Sequence, residues 1–121
     1  LLSAALFIFI SAKFPASPEP QNFEYYQFST IESVVKAGIG RSRLISTNSK
    51  GEMSEEKMEN FFSAVGINFG NVRHNDQMIV EKINSLTEEG WELYNTSTGV
   101  YADPKGNSGI FISRYLFRKA K

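Results

Sequence analysis

Ser54 to Gly66 reads SEEKMENFFSAVG. Ser54 has the hydroxyl of a helix N-cap, and Glu55 and Glu56 stand in the first turn, where carboxylates complement the helix dipole. Met58, Phe61, Phe62 and Val65 follow at i, i+3, i+4 and i+7, which is one helical face. Gly66 is placed to be the residue just past a helix end. The reading as a helix sets the layout of the segments on either side.

Upstream, Phe23 to Glu32 (FEYYQFSTIE) is aromatic and β-branched without Gly or Pro, and reads as a strand. Phe23, Tyr25 and Gln27 point one way and Tyr26, Phe28 and Thr30 the other. Lys36 to Arg41 (KAGIGR) is a glycine-bearing connection, Ser42 to Asn48 a second strand, and Asn48-Ser-Lys-Gly51 a turn. Downstream, Ile67 to His74 is irregular, and Asn75 or Asp76 caps a second helix. Ile79, Ile83 and Leu86 give that helix its face, with Val80 beside them, and Gly90 ends it. Trp91 to Tyr101 and Gly109 to Arg118 are the last two strands, joined by a loop over Ala102 to Ser108. The order is β-β-α-α-β-β. It predicts an α+β domain, a four-stranded antiparallel sheet with two helices packed on one face. The final strand is apolar on both sides, Ile110, Ile112 and Leu116 against Phe111, Tyr115 and Phe117, so it is either central or buried by a partner.

The 121 residues suit one domain, and ten phenylalanines supply its core. Lys+Arg and Asp+Glu both number 13, so no global field steers the chain onto nucleic acid or an anionic membrane. With no cysteine, disulfides, thiol catalysis and a cysteine-linked lipid anchor are excluded.

Residues 1–15 form an apolar segment, 16–22 a Pro-rich linker, and 23–121 the domain. Leu1 to Ala12 (LLSAALFIFISA) carries no charge. A helix of that length spans roughly 18 Å, short of the bilayer's roughly 30 Å apolar core. Three readings stay open: the h-region of a signal peptide whose basic start lies upstream, a truncated membrane anchor or contact in an assembly, or a core element of the domain.

The stretch Ile83 to Tyr94 (INSLTEEGWELY), with GIFISRYLFRK near the end, resembles the small bacterial family catalogued as domain of unknown function 4177. The likeness covers roughly 75–119, and Gly90-Trp91-Glu92-Leu93 is its specific part. The insert from Ala37 to Gly70 departs from the family's compact pattern. The resemblance implies a fold and transfers no catalytic residue. Read from the residues alone, Gly90 ends a helix and Trp91 covers that end, or Trp91 binds a ligand.

Few residues invite chemistry. His74 is the only histidine, with Asp76 the only carboxylate close by in sequence, so a metal site or triad has no further members in view. Gly38-Ile39-Gly40-Arg41-Ser42-Arg43 has the composition of a phosphate loop but lacks its Gly-Lys-Ser/Thr ending and leads into a strand. It reads as a turn or bulge, with Arg41 and Arg43 left as a small anion site. Glu55, Glu56, Glu59, Glu88, Glu89 and Glu92 read as solvated faces. Arg114, Arg118, Lys119 and Lys121 interleave with aromatics as single-strand binders do, but the zero net charge speaks against nucleic acid.

The expectation is a non-enzymatic interaction or accessory-subunit module of the bacterial cell envelope, periplasmic, secreted or membrane-anchored, without a cofactor. Its partner is another protein chain, in a homodimer or a larger assembly, met through the sheet and Phe111, Tyr115 and Phe117. The alternative is a small-ligand-binding domain with a pocket near Trp91, Tyr94 and Tyr101. Intact mass and native size of the protein taken from its own envelope separate the N-terminal readings. A mass that retains Leu1 to Ala12 in a particle much larger than 13.6 kDa makes the segment an anchor or contact. A mass without it makes the segment a cleaved leader.

Overall fold

Alternation of side chains in β1 (Phe23–Val35) divides the protein into two faces. Tyr26, Phe28, Thr30 and Glu32 lie toward the helix, and Phe28 and Thr30 are fully buried there. Phe23, Tyr25, Gln27 and Ile31 lie on the other side. The computed structural model describes residues 8, 22–35 and 39–121. The sequence readings for the apolar N-terminal segment (Ile8 apart), the linker up to residue 21 and residues 36–38 fall outside the described residues.

β1 pairs antiparallel on one side with β2 (Arg43–Thr47), which carries β3 (Met53–Lys57). On its other side it pairs with β7 (Ser108–Ala120), which carries β6 (Glu92–Ala102). The sheet runs β3-β2-β1-β7-β6. A small hairpin, β4 (Phe62–Ser63) with β5 (Gly66–Ile67), precedes the helix α1 (Phe69–Glu88). The doubly apolar strand β7 is thus internal, between β1 and β6.

The core lies under α1. Phe28, Leu44, Met58, Leu86, Trp91 and Phe117 are buried together, with Tyr26, Met78, Ile79, Ile83 and Tyr115 packed against them. Phe28 stacks on Tyr115 at 4.5 Å and on Phe117 at 5.8 Å, and each such pair adds roughly 0.5–1.5 kcal/mol beyond area burial. α1 ends in a Schellman motif. Trp91 N–H donates to the Leu86 carbonyl (3.0 Å) and Gly90 N–H to that of Thr87 (3.0 Å), with Gly90 at φ 93°. The motif's customary apolar contact is Trp91 with Leu86, both in the core.

The layout corrects the predicted α+β arrangement of four strands and two helices. The structure is mostly β, with five strands in the main sheet, two in the small hairpin and one helix among the described residues. The expected helix beginning at Ser54 is instead strand β3, followed by the β4–β5 hairpin. The cause is the turn before it. The Asn48 side chain accepts from Lys50 N–H (3.0 Å) and Glu52 N–H (3.0 Å), Gly51 takes φ 81°, and the chain returns along β2 in register. A short isolated helix is marginal, whereas five paired residues complete the outer edge of β2. Val65, assigned to the helix's apolar face, is 98% exposed, and Gly66 opens β5 instead of ending a helix.

The helix begins earlier than predicted. Asn68 is its N-cap, its side chain accepting from Asn71 N–H at 3.1 Å, and the stretch read as irregular forms its first turns. Asn75, expected as a cap, is buried inside the helix. Its Oδ1 accepts from Glu59 N–H (2.9 Å), and its Nδ2 donates to the Glu59 carbonyl (2.7 Å) and to Glu32 Oε2 (2.9 Å). One amide thereby fastens the helix to the segment after β3 and to β1. Replacing Asn75 by Ala leaves the Glu59 backbone groups without these partners. Urea unfolding should show a loss of about 2–3 kcal/mol, while Asn71→Ala, near the helix surface, should cost less.

Candidate functional site

α1 covers β1 and β2 more fully than β6, every residue of which is exposed. The step between helix and strand leaves a cleft of about 400 Å³. β1 contributes Glu32, and α1 contributes Val72 and Asp76, four residues apart on one helical face. β7 contributes Phe111 and Ser113, and β6 contributes Thr98 and Val100. Phe61 closes one end, its ring 5.8 Å from that of Phe111. The cleft mixes apolar side chains (Phe61, Val72, Val100, Phe111) with polar ones (Glu32, Asp76, Ser113, Thr98), and Glu32 stands directly opposite Phe111 across the β1–β7 ladder.

Tyr115 stands beside the cleft, on the same face of β7 as Ser113 and two residues along. Burial pushes its phenol above the ordinary value of 10.0, the charges of Glu32 and Asp76 push it further the same way, and the Ser113 side chain pulls it back. The hydroxyl is therefore a neutral donor at neutral pH. Glu32 is oriented by Asn75. Two carboxylates with neighbouring hydroxyls suit a cationic or hydroxyl-rich group, while the apolar side chains among them suit a hydrocarbon portion. No group of three or more His, Cys, Asp or Glu side chains able to hold a metal occurs among the described residues.

Of the residues singled out in the sequence, Phe111 lines this cleft and Tyr115 stands beside it, and the others lie elsewhere. Trp91 is 8% exposed; its ring is 5.7 Å from Tyr26 and carries the Lys119 ammonium at 4.5 Å, so it seals the helix end. Tyr94 is exposed on the opposite face, where the Arg118 guanidinium lies 4.2 Å from its ring and 4.4 Å from that of Phe23, with Glu92 at 3.3 Å. Tyr101 lies near the far end of β6, lining a separate shallow cleft of about 240 Å³ with Val34, Phe62 and Asn107. These three aromatics do not share a pocket.

Arg41 is exposed in the loop before β2, and Arg43 donates to the Ser42 carbonyl at 2.8 Å. Gly40 packs so closely on Ser33 that a Cβ there would strike the Ser33 hydroxyl, which gives that glycine a structural purpose. His74 is exposed on α1. Of the residues expected at an interface, Phe117 is completely buried, Tyr115 is half-buried against Phe28, and Phe111 is 42% exposed at the cleft. All three lie on the helix side, so the uncovered face is the other one.

That face carries Ile31 from β1, Ile45 from β2, and Ile110, Ile112 and Leu116 from β7, with Arg43, Arg114 and Arg118 among them. No described element packs over it. No helix among the described residues is long and apolar enough to cross a membrane. Comparisons with protein-family models, with curated proteins and with solved structures give no match for this chain.

The Tyr115 phenol provides a test of the cleft's electrostatics. In the unfolded chain it ionises near pH 10, and in the folded protein above that. Its contribution to stability is complete below pH 10 and is lost as the pH rises through the folded value, because there the unfolded chain holds fewer protons. Unfolding free energies measured across the alkaline range should fall less steeply for Tyr115→Phe than for the natural sequence. Equal slopes would remove the burial and carboxylate effects from the account.

Proposed function

We propose that this protein is a non-enzymatic interaction module of the bacterial cell envelope that works through the open face of its sheet. The observation that carries the reading is the asymmetry of the two faces. One is closed by α1, and the other presents Ile31, Ile45, Ile110, Ile112 and Leu116 with no described element over them. Ile31 stands opposite Ile112, with Ile110 and Leu116 further along β7 and Ile45 on β2. Arg43 and Arg114 add positive charge to this half-buried apolar surface, while Glu55 and the Arg118–Glu92 pair lie at its border. Such a surface suits an apolar partner with acidic groups at its border. The envelope assignment rests on the uncharged Leu1 to Ala12 stretch and the prolines after it.

The cleft beside Tyr115 supports a second reading, a binding domain for a small amphiphilic molecule with a cationic or hydroxyl-rich head. The partnering of Glu32 with Asn75 and the raised ionisation of Tyr115 favour it.

A photo-reactive amino acid placed at Ile112 should capture one defined protein in the native host, and the same group at Glu81, on the solvent side of α1, should not. Ile112→Lys introduced beside a second probe at Ile45 should abolish that capture. Capture at Glu81 alone would move the interaction to the helix, and capture at neither position would leave the cleft as the working surface.

A further inference from the structure

The sheet has two free edges of opposite character. β3 is five residues long and carries Glu55, Glu56 and Lys57, the charged and short type of edge that resists pairing with another strand. β6 is eleven residues long, every residue is exposed, and from Leu93 to Ala102 it contains no charge and no proline. Its pairing with β7 has one irregularity, between Leu93 and Asn95; from Asn95 onward the register is continuous. No described element pairs with its outer side. Val100 and Tyr101 are 67% and 61% exposed on this strand. An edge without such safeguards is a template for another strand.

We infer that β6 is a homodimer interface, joining two copies edge to edge in an antiparallel pair. The occupant is a second copy because the strand complements itself. A two-fold axis perpendicular to the sheet at Thr98 sets Thr98 opposite its own copy, Ser97 opposite Gly99, Thr96 opposite Val100 and Asn95 opposite Tyr101. Each pair lies on one face, as antiparallel pairing requires. β-branched residues meet on the helix side, Tyr101 lies over the short Asn95 on the other, and no like charges meet. Two five-stranded sheets become one of ten. The cleft at Glu32 and Asp76 has Thr98 and Val100 on its β6 side, so the partner's strand extends its floor. The inference uses the edge of the sheet and does not depend on what covers its open face.

The chain has no cysteine, so single cysteines report the contact cleanly. Opposed residues in an antiparallel pair have Cα atoms about 4.5–5.5 Å apart, within disulfide range. Mild oxidation of full-length Thr98→Cys should give a covalent dimer at least roughly tenfold faster than Glu55→Cys on the other edge, because pairing raises the effective thiol concentration. In sedimentation equilibrium, Thr98→Lys, which sets two ammonium groups face to face, should weaken self-association at least roughly tenfold. Far-UV circular dichroism should stay unchanged, and urea unfolding should agree for the two proteins at concentrations where both are monomeric, since the position is exposed in the single chain. Equal oxidation rates for the two cysteine variants would overturn the interface. So would self-association unaffected by Thr98→Lys. Photo-capture at Ile112 that persists in Thr98→Lys would show the open face acting independently of the edge.

Discussion

The structure depends on the ladder between β1 and β7. It runs from Phe23 opposite Ala120 to Val35 opposite Ser108 and joins the first and last strands of the domain. Because these residues lie at opposite ends of the sequence, closing the ladder carries a large loop-closure cost, which the packing of Phe28 with Tyr115 and Phe117 offsets. Every other strand of the main sheet hangs on this pair, β2 and β3 outside β1, and β6 outside β7. The helix follows from it too. The pair presents the rings on which Ile79, Ile83 and Leu86 rest, and Glu32 meets Asn75. Such a non-local topology folds slowly compared with a helical bundle of this size.

Part of this was legible in the sequence. The alternation in Phe23 to Thr30 gave the two faces of β1, the double apolarity of the last strand agreed with an internal place, and Gly90 stands where the helix ends. The failure over Ser54 to Gly66 has a specific cause. Glu, Lys and Met favour helices, and four apolar residues happened to fall at helical spacing. The Asn48 to Gly51 turn brings the segment alongside β2, where unpaired backbone groups outweigh that preference. Only Met58 of the supposed apolar face enters the core. Intrinsic propensity is a weak prior when a neighbouring strand offers a ready ladder.

The candidate cleft was not legible. Glu32, Asp76 and Ser113 are far apart in sequence and individually ordinary, and they converge only through the register of β1 with β7 and the seating of α1 by Asn75. Trp91, the single tryptophan, is the more conspicuous residue, but its position directly after a Schellman glycine commits it to covering the helix end. Helical spacing predicted part of α1 but not how much of the sheet it leaves bare. That is set by the relative sizes of a five-strand sheet and one helix. A single helix is about 10 Å wide and five strands span roughly twice that, so an uncovered flank beside the helix is a geometric necessity.

The ladder has a mechanical corollary. Lys121 N–H donates to the Asn22 carbonyl at 2.9 Å, so the two ends of the domain emerge side by side. A load drawing those two points apart acts across β1 and β7 and not along them. It opens the ladder one rung at a time, like a zip fastener, where a load along the strands would have to break every rung at once. The domain therefore yields to a small pull from that end while resisting heat or denaturant through its whole core. Tension between those two points would part β1 from β7 and draw the Phe28 ring away from those of Tyr115 and Phe117.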